Sequence, residues 1–146
     1  IADVNRAKRE LERLKRIARE EGVYERGGFR DEIARLEVEV VALEMMVLRV
    51  LSAEKSGKQS LDVAGLLKIR GSEIQQRYSE LMMLAAGPAA LPLDKEAMEA
   101  GWQGGLSGAA FVAPLAATYF NMRKTTIYGG SNEVQRNIVA QTVLGS

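Results

Sequence analysis

Between Arg30 and Lys55 the chain carries Ile33, Leu36, Val40, Leu43, Val47, Val50 and Leu51 at the spacing of one helix face. Val38, Val41, Met45, Met46 and Leu48 carry the apolar surface well beyond that stripe. A helix this apolar needs partners on two sides, as in the middle of a bundle or at a subunit interface.

The neighbouring segments are helical as well. Ile1, Val4, Ala7, Leu11, Leu14 and Ile17 predict a first helix over about Ala2–Glu21, with charges on its other faces. The run Arg6, Lys8, Arg9, Arg13, Lys15, Arg16 and Arg19 is interleaved with Glu10, Glu12, Glu20 and Glu21, which marks a solvated face and not a nucleic-acid surface. Gly22 and Gly27-Gly28 predict a loop over residues 22–29. After the long second helix, Ser56–Ser60 reads as a polar turn. Gly57 is its stop, Ser60 a cap, and Asp62 lies in the first turn of the next helix. Val63, Leu66, Leu67, Ile74, Tyr78, Leu81 and Leu84 carry that third helix to about Ala86, where Gly87-Pro88 ends it.

Residues Gly87 to Gly108 form a long excursion rich in Gly, Ala and Pro. One helical turn is expected near Lys95–Ala100, and Trp102 either stacks on a ligand or covers the core. A fourth helix fits about Pro114–Thr125, and a fifth fits Asn132–Leu144, closed by Gly145. The fifth has a weaker apolar face in Val134, Ile138, Val139, Gln141 and Val143. No stretch alternates as a strand does. The expected fold is all-α, an up-down helical bundle of four-helix-bundle type formed by residues 1–146 as one domain.

Composition narrows the chemistry. The chain has 47% hydrophobic and 27% charged residues, an ordinary globular balance, with a net charge of only +1. It has no His and no Cys, so a Ser-His triad, a thiolate metal site and a disulfide framework are all excluded within it. No metal site, nucleic-acid partner or membrane span is expected, and no signal peptide is visible. The cytoplasm of a bacterium, or the mitochondrial matrix in a eukaryote, is the expected compartment. The chain opens on Ile1 in mid-pattern, so it is expected to be a fragment of a longer polypeptide. Met45, Met46, Met82 and Met83 are expected to fill the core.

The most informative stretch is Arg123-Lys124-Thr125-Thr126-Ile127-Tyr128-Gly129-Gly130-Ser131-Asn132-Glu133-Val134-Gln135-Arg136-Asn137-Ile138-Val139-Ala140. A Gly-Gly turn here delivers the chain into a helix N-terminus. The free amides of that first turn, with the Ser131 hydroxyl, suit an anionic or polar ligand. The glycines admit a flat ligand close to the backbone. The same residues also read as a plain turn and cap, with Ser131 or Asn132 as N-cap and Gln135 reaching back as in a capping box.

The run Ile127 to Ile138 resembles the closing signature of the acyl-CoA dehydrogenases, in which a Tyr-(Glu/Gly)-Gly-(Thr/Ser) loop precedes an X-(Glu/Gln)-Ile-Gln-Arg-like helix start. About eighteen residues match closely, and the order of the preceding helices is compatible over the rest. The resemblance implies the C-terminal helical domain of a flavoprotein whose other parts are an all-α domain and a β-barrel. It implies FAD as cofactor and an acyl-CoA as substrate. A carboxylate takes the α proton, the flavin takes the β hydride, and an electron-transferring flavoprotein receives the electrons. Assembly as a homo- or hetero-oligomer, dimer or tetramer, is implied too.

By position, the resemblance places Gly130, Ser131 and Glu133 on the segment that touches FAD, and Tyr128 and Gly129 beside the flavin ring and thioester. Gly129 stands where many members carry a Glu as catalytic base, so no catalytic residue is expected in this chain. The base is expected on a helix upstream or from a partner subunit. In the latter case the chain is a non-catalytic assembly subunit of a heteromeric enzyme. Glu133 lies one helical turn onward and is expected to bond cofactor or cap the helix. Two further family features have no clean counterpart: Arg26-Gly27-Gly28-Phe29-Arg30 differs in spacing from the Arg-x-x-Phe-Gly loop that reaches the FAD pyrophosphate. Met83-Leu84-Ala85-Ala86-Gly87-Pro88 replaces the Gln-x-x-Gly-Gly turn.

Overall fold

The Asp3 carboxylate accepts the Arg6 amide at 2.9 Å and so starts α1, Val4–Glu20. Further helices follow among the described residues: α2 (Gly27–Lys55), α3 (Leu61–Ala86), α4 (Leu115–Met122) and α5 (Asn132–Leu144). Short 3-10 segments occupy Gly87–Ala90 and Arg123–Thr126. The computed structural model describes residues 3–56, 61–93, 95–96, 99–101 and 111–145, with only the backbone of 61 and 62. Those residues contain no strand, and the chain is the all-α bundle its periodicity predicts. The expected Ser60 cap, Asp62 side chain and Trp102 lie outside the described residues, as does part of the turn expected near Lys95–Ala100.

Leu11, Leu14 and Ile17 of α1 meet Ile33, Leu36, Val40 and Leu43 of α2 and Leu67, Ile74, Leu81, Met82 and Ala85 of α3 in one core. Each such aliphatic side chain contributes about 1.5–3 kcal/mol of burial. α3 is the central element and packs against each of the other four helices. Of the four core methionines expected, Met82 is buried and Met46 and Met83 are partly so, while Met45 is exposed. Several cations of the basic run on α1 are paired: Lys8 with Glu44, Lys15 with Glu37, Arg6 with Glu10 and Arg16 with Glu20.

Four boundaries or faces differ from expectation, each for an identifiable reason. Gly27 and Gly28 are the first turn of α2 and not loop, because the Phe29 and Arg30 amides already bond the Arg26 carbonyl at 2.9 and 3.2 Å. The reversal is made earlier, at Gly22 with φ +66°, and the Val23 and Tyr24 amides both return to the Ala18 carbonyl. α4 ends at Met122 and tightens into a 3-10 segment, since the carbonyls of Met122 and Arg123 are taken by the Gln76 side chain. α2 is buried on one side only: Val38, Val41, Met45 and Leu48 face outward, so the mid-bundle alternative does not hold. α5 likewise turns Val134, Ile138 and Val143 outward and packs through Asn132, Gln135 and Val139.

Gly65 permits that last contact. A Cβ there would lie 3.0 Å from both Gln135 Oε1 and Val139 Cγ2. Gly65→Leu is therefore expected to force α5 off α3 at a cost of about 1–3 kcal/mol. Hydrogen exchange should show protection lost over residues 132–144 and retained in α1 and α2; protection retained in α5 would show that the crossing accommodates a side chain.

Candidate functional site

Lys68, Ser72, Gln76 and Ser79 form a row along α3, spaced four, four and three residues apart, on the side that meets α4 and α5. Lys68 Nζ donates to Asn132 Oδ1 at 2.8 Å, and Asn132 Nδ2 donates to Ser72 Oγ at 3.3 Å. Ser72 has one hydroxyl proton, which goes to the Ile69 carbonyl at 2.8 Å, so toward Asn132 it is the acceptor. Asn132 and Ser72 are both buried. One turn along, Gln76 Nε2 donates to the Met122 and Arg123 carbonyls at 3.2 Å. Arg123 Nη2 returns to the Gln76 carbonyl at 3.0 Å and to Ser79 Oγ at 3.2 Å, while its guanidinium lies 4.3 Å from the centre of the Tyr119 ring. An Arg136–Glu73 pair at 3.1 Å adds a contact at the rim.

Both ends of the segment 123–132 are thus fastened to α3, and the stretch between them projects. Ile127, Tyr128, Gly129 and Gly130 are exposed. Gly129 and Gly130 have φ of +67° and +87°, a conformation that side chains rarely adopt. Their surroundings differ. A Cβ on Gly129 would meet nothing within 4 Å, whereas one on Gly130 would sit 2.6 Å from Gln135 Nε2. Gly129 therefore offers bare backbone to an incoming group, and Gly130 makes room for the chain's own Gln135.

Ser131 begins α5 as N-cap, its Oγ accepting the Val134 amide at 3.3 Å. Gln135 makes no capping box; its side chain donates to the Gly129 carbonyl at 3.4 Å. The Glu133 carboxyl is held below the usual carboxylate range, first by its own backbone amide and then by the Ser131 hydroxyl. The Val134 amide is thus engaged within the chain, and a carboxylate stands beside the same helix start.

The structure therefore brings Tyr128, Gly129, Gly130, Ser131 and Glu133 together in one exposed turn. Ile127 and Tyr128 in the turn, Val134 and Ile138 on α5, and Phe120 on α4 are exposed apolar or aromatic side chains. The residues that hold the turn, Lys68, Ser72, Gln76, Ser79 and Asn132, carry no motif. Their only trace in the sequence is polar residues recurring at helical period along α3. The Arg26–Arg30 segment is the start of α2, with Arg26 as N-cap and no side-chain cap bond, and Arg26, Gly27, Gly28 and Arg30 are exposed. Among the described residues, no helix is long and apolar enough to cross a membrane.

Comparison with known proteins agrees on the fold and on its family. Residues 2–144 match the family described as acyl-CoA dehydrogenase, C-terminal domain. Over 137 residues the chain is 27% identical to the acyl-CoA dehydrogenase IpdE1 of Mycolicibacterium smegmatis, covering 94% of this chain and 30% of that protein. A solved structure titled Tcur3481-Tcur3483 steroid ACAD superposes with a TM-score of 0.76 at 22% identity, over 98% of this chain and 35% of that one. The chain thus spans about a third of the length of each of these relatives.

Two outcomes are expected from the turn's anchoring. Asn132→Ala leaves the Lys68 ammonium and Ser72 hydroxyl short of a buried partner and should cost about 1–3 kcal/mol in denaturant unfolding; an unchanged midpoint would remove the anchor from the account. The lowered pKa of Glu133 stabilises the start of α5 fully above the ordinary value of 4.5, and this contribution is lost as pH falls through the lower folded value. Amide exchange at Val134 should rise across that acid range in the native chain and lose this dependence in Glu133→Gln.

Proposed function

The chain belongs to the acyl-CoA dehydrogenase family as a C-terminal domain, and from this we propose that it is the helical part of an FAD-dependent enzyme that α,β-dehydrogenates an acyl-CoA thioester. The observation that most supports this reading is the bare backbone of Gly129, beside the exposed Ile127 and Tyr128, in a turn fastened at both ends to α3. Bound there, FAD supplies the electron acceptor for the oxidation.

The chain's own residues divide the work of holding it. Gly129 lets a flat group approach the main chain, and Tyr128 covers its edge beside the thioester. Gly130 and Ser131 set the path into α5. Glu133, exposed and kept ionised, is an acceptor suited to the hydroxyl-bearing part of the cofactor. We do not read it as the proton acceptor, because it lies one helical turn on from Gly129, where many members carry the base. Gly129 has no side chain, so the base comes from outside this chain: a helix upstream or a partner subunit. The exposed face of α5 suits a site completed by further protein, in a dimer or tetramer whose electrons pass to an electron-transferring flavoprotein. The lack of a base at Gly129 also supports a second reading, a non-catalytic assembly subunit of a heteromeric enzyme.

The visible spectrum of the intact protein, before and after anaerobic addition of acyl-CoA thioesters, separates the two. A flavin band that bleaches supports the dehydrogenase. A colourless protein, or a flavin that no thioester reduces, supports the assembly subunit. Gly130→Ala, which drives a methyl group into Gln135 at a φ of +87°, should lower flavin content while leaving the helical signal in circular dichroism intact.

A further inference from the structure

Gln135 is the residue at which the turn, α3 and α5 meet. Its main chain is fixed first: the Gln135 amide donates to the Ser131 carbonyl at 2.9 Å, the bond that closes the opening turn of α5 onto its N-cap. Its side chain then runs back between two glycines. A Cβ on Gly65 of α3 would lie 3.0 Å from Gln135 Oε1, and one on Gly130 would lie 2.6 Å from Nε2. Nε2 donates to the Gly129 carbonyl at 3.4 Å, six residues back in the chain. Arg136 pairs with Glu73 of α3 at 3.1 Å, and Asn132 is held by Lys68 and Ser72, so the helix that carries this arm is itself secured to α3.

The consequence falls on one peptide unit, the one joining Gly129 to Gly130. It is trans, and in a trans peptide the carbonyl and the following N–H point in opposite directions. With the Gly129 carbonyl turned toward Gln135, the Gly130 N–H points away from it. Among the described residues that amide donates to nothing. A peptide flanked by two glycines turns over at little steric cost, so its orientation has to be imposed from outside. Among the described residues, Gln135 is the side chain that bonds it.

We propose that Gln135 is a positioning residue for the turn: its side-chain amide holds the 129–130 peptide carbonyl-inward, so that the Gly130 N–H is presented to an acceptor atom at the edge of the flat group lying against Gly129. Gln135 acts through the backbone and does not itself touch the ligand. The ligand half of this rests on the reading of the turn as a flavin contact, whereas the orientation of the peptide does not. A side chain that only filled the space between Gly65 and Gly130 could be replaced by any unbranched chain of its length. A side chain that orients the peptide cannot, because it must donate a hydrogen bond.

Two variants of the intact protein separate donor from spacer. Gln135→Met keeps the length and removes the donor, and should lower flavin affinity by roughly three- to tenfold, the share of one neutral hydrogen bond. Gln135→Glu sets a carboxylate against the Gly129 carbonyl and should bind flavin more weakly still at neutral pH. A protonated carboxyl donates where a carboxylate cannot, so this variant should recover toward the wild type as pH falls through the carboxylate range. Glu133, Lys68, Arg136 and Glu73 are the charged groups around this start of α5, and both variants keep them, so the ratio of the two affinities isolates the change at position 135. Crystal structures supply a readout that needs no flavin: in Gln135→Met the Gly129 carbonyl should no longer point at residue 135. A Gln135→Met protein with wild-type flavin affinity, one whose Gly129 carbonyl keeps its place, or a Gln135→Glu protein indifferent to pH would overturn the proposal. If the wild type holds no flavin, the flavin reading fails, and the orientation of the peptide in the Gln135→Met crystal alone decides the positioning role.

Discussion

Gln76, Ser72 and Lys68 on α3 must find their hydrogen-bond partners 46 to 64 residues downstream, and that requirement decides where the Gly129-Gly130 turn sits. Apolar packing between α3 and the α1–α2 pair is not directional and would tolerate sliding by a fraction of a turn. The polar row does not tolerate it, because each misplaced partner leaves a buried polar group unsatisfied at about 1–3 kcal/mol. Gln76 takes the carbonyls that end α4, and Lys68 and Ser72 take the side chain that begins α5. The eight residues between Arg123 and Asn132 are therefore held at both ends, while Ile127 to Gly130 stay exposed. Firm ends and an open middle suit a loop that receives a ligand without being reshaped by it.

What could be read from the sequence was whatever depends on one helix at a time. The apolar stripes of α1, α2 and α3 predict helices whose ends fall within a few residues of those observed. What could not be read depends on two helices meeting. Polar residues at helical period along α3 look like a solvated face until α4 and α5 are laid against them. Ser131 and Asn132 are equally good caps by residue type. The choice falls to Ser131 because Asn132 is needed by Lys68 and Ser72, a demand set 60 residues away. The start of α2 was obscured for a local reason: glycine is commonest where a helix stops, yet Gly27 and Gly28 sit in a first turn. For α2 and α5 the apolar faces were legible, but periodicity says only that a face is apolar, not what covers it.

The adjacent glycines at 129 and 130 show how a motif can mix two causes. Both need a left-handed backbone, so either substitution strains the turn. Only Gly129 has open space beside it, while Gly130 is required by Gln135, which closes the turn by reaching the Gly129 carbonyl. One glycine serves the fold and the other faces outward. The family resemblance names both positions together; the contacts separate them.

The same separation bears on charge. A helix N-terminus attracts anions, and in this chain it has already received one, the Glu133 carboxylate held by its own amide and Ser131. A second anion placed there would meet an ionised neighbour. The turn therefore combines bare backbone at Gly129, which a flat group can approach, with an ionised carboxylate at the helix start that accepts hydrogen bonds.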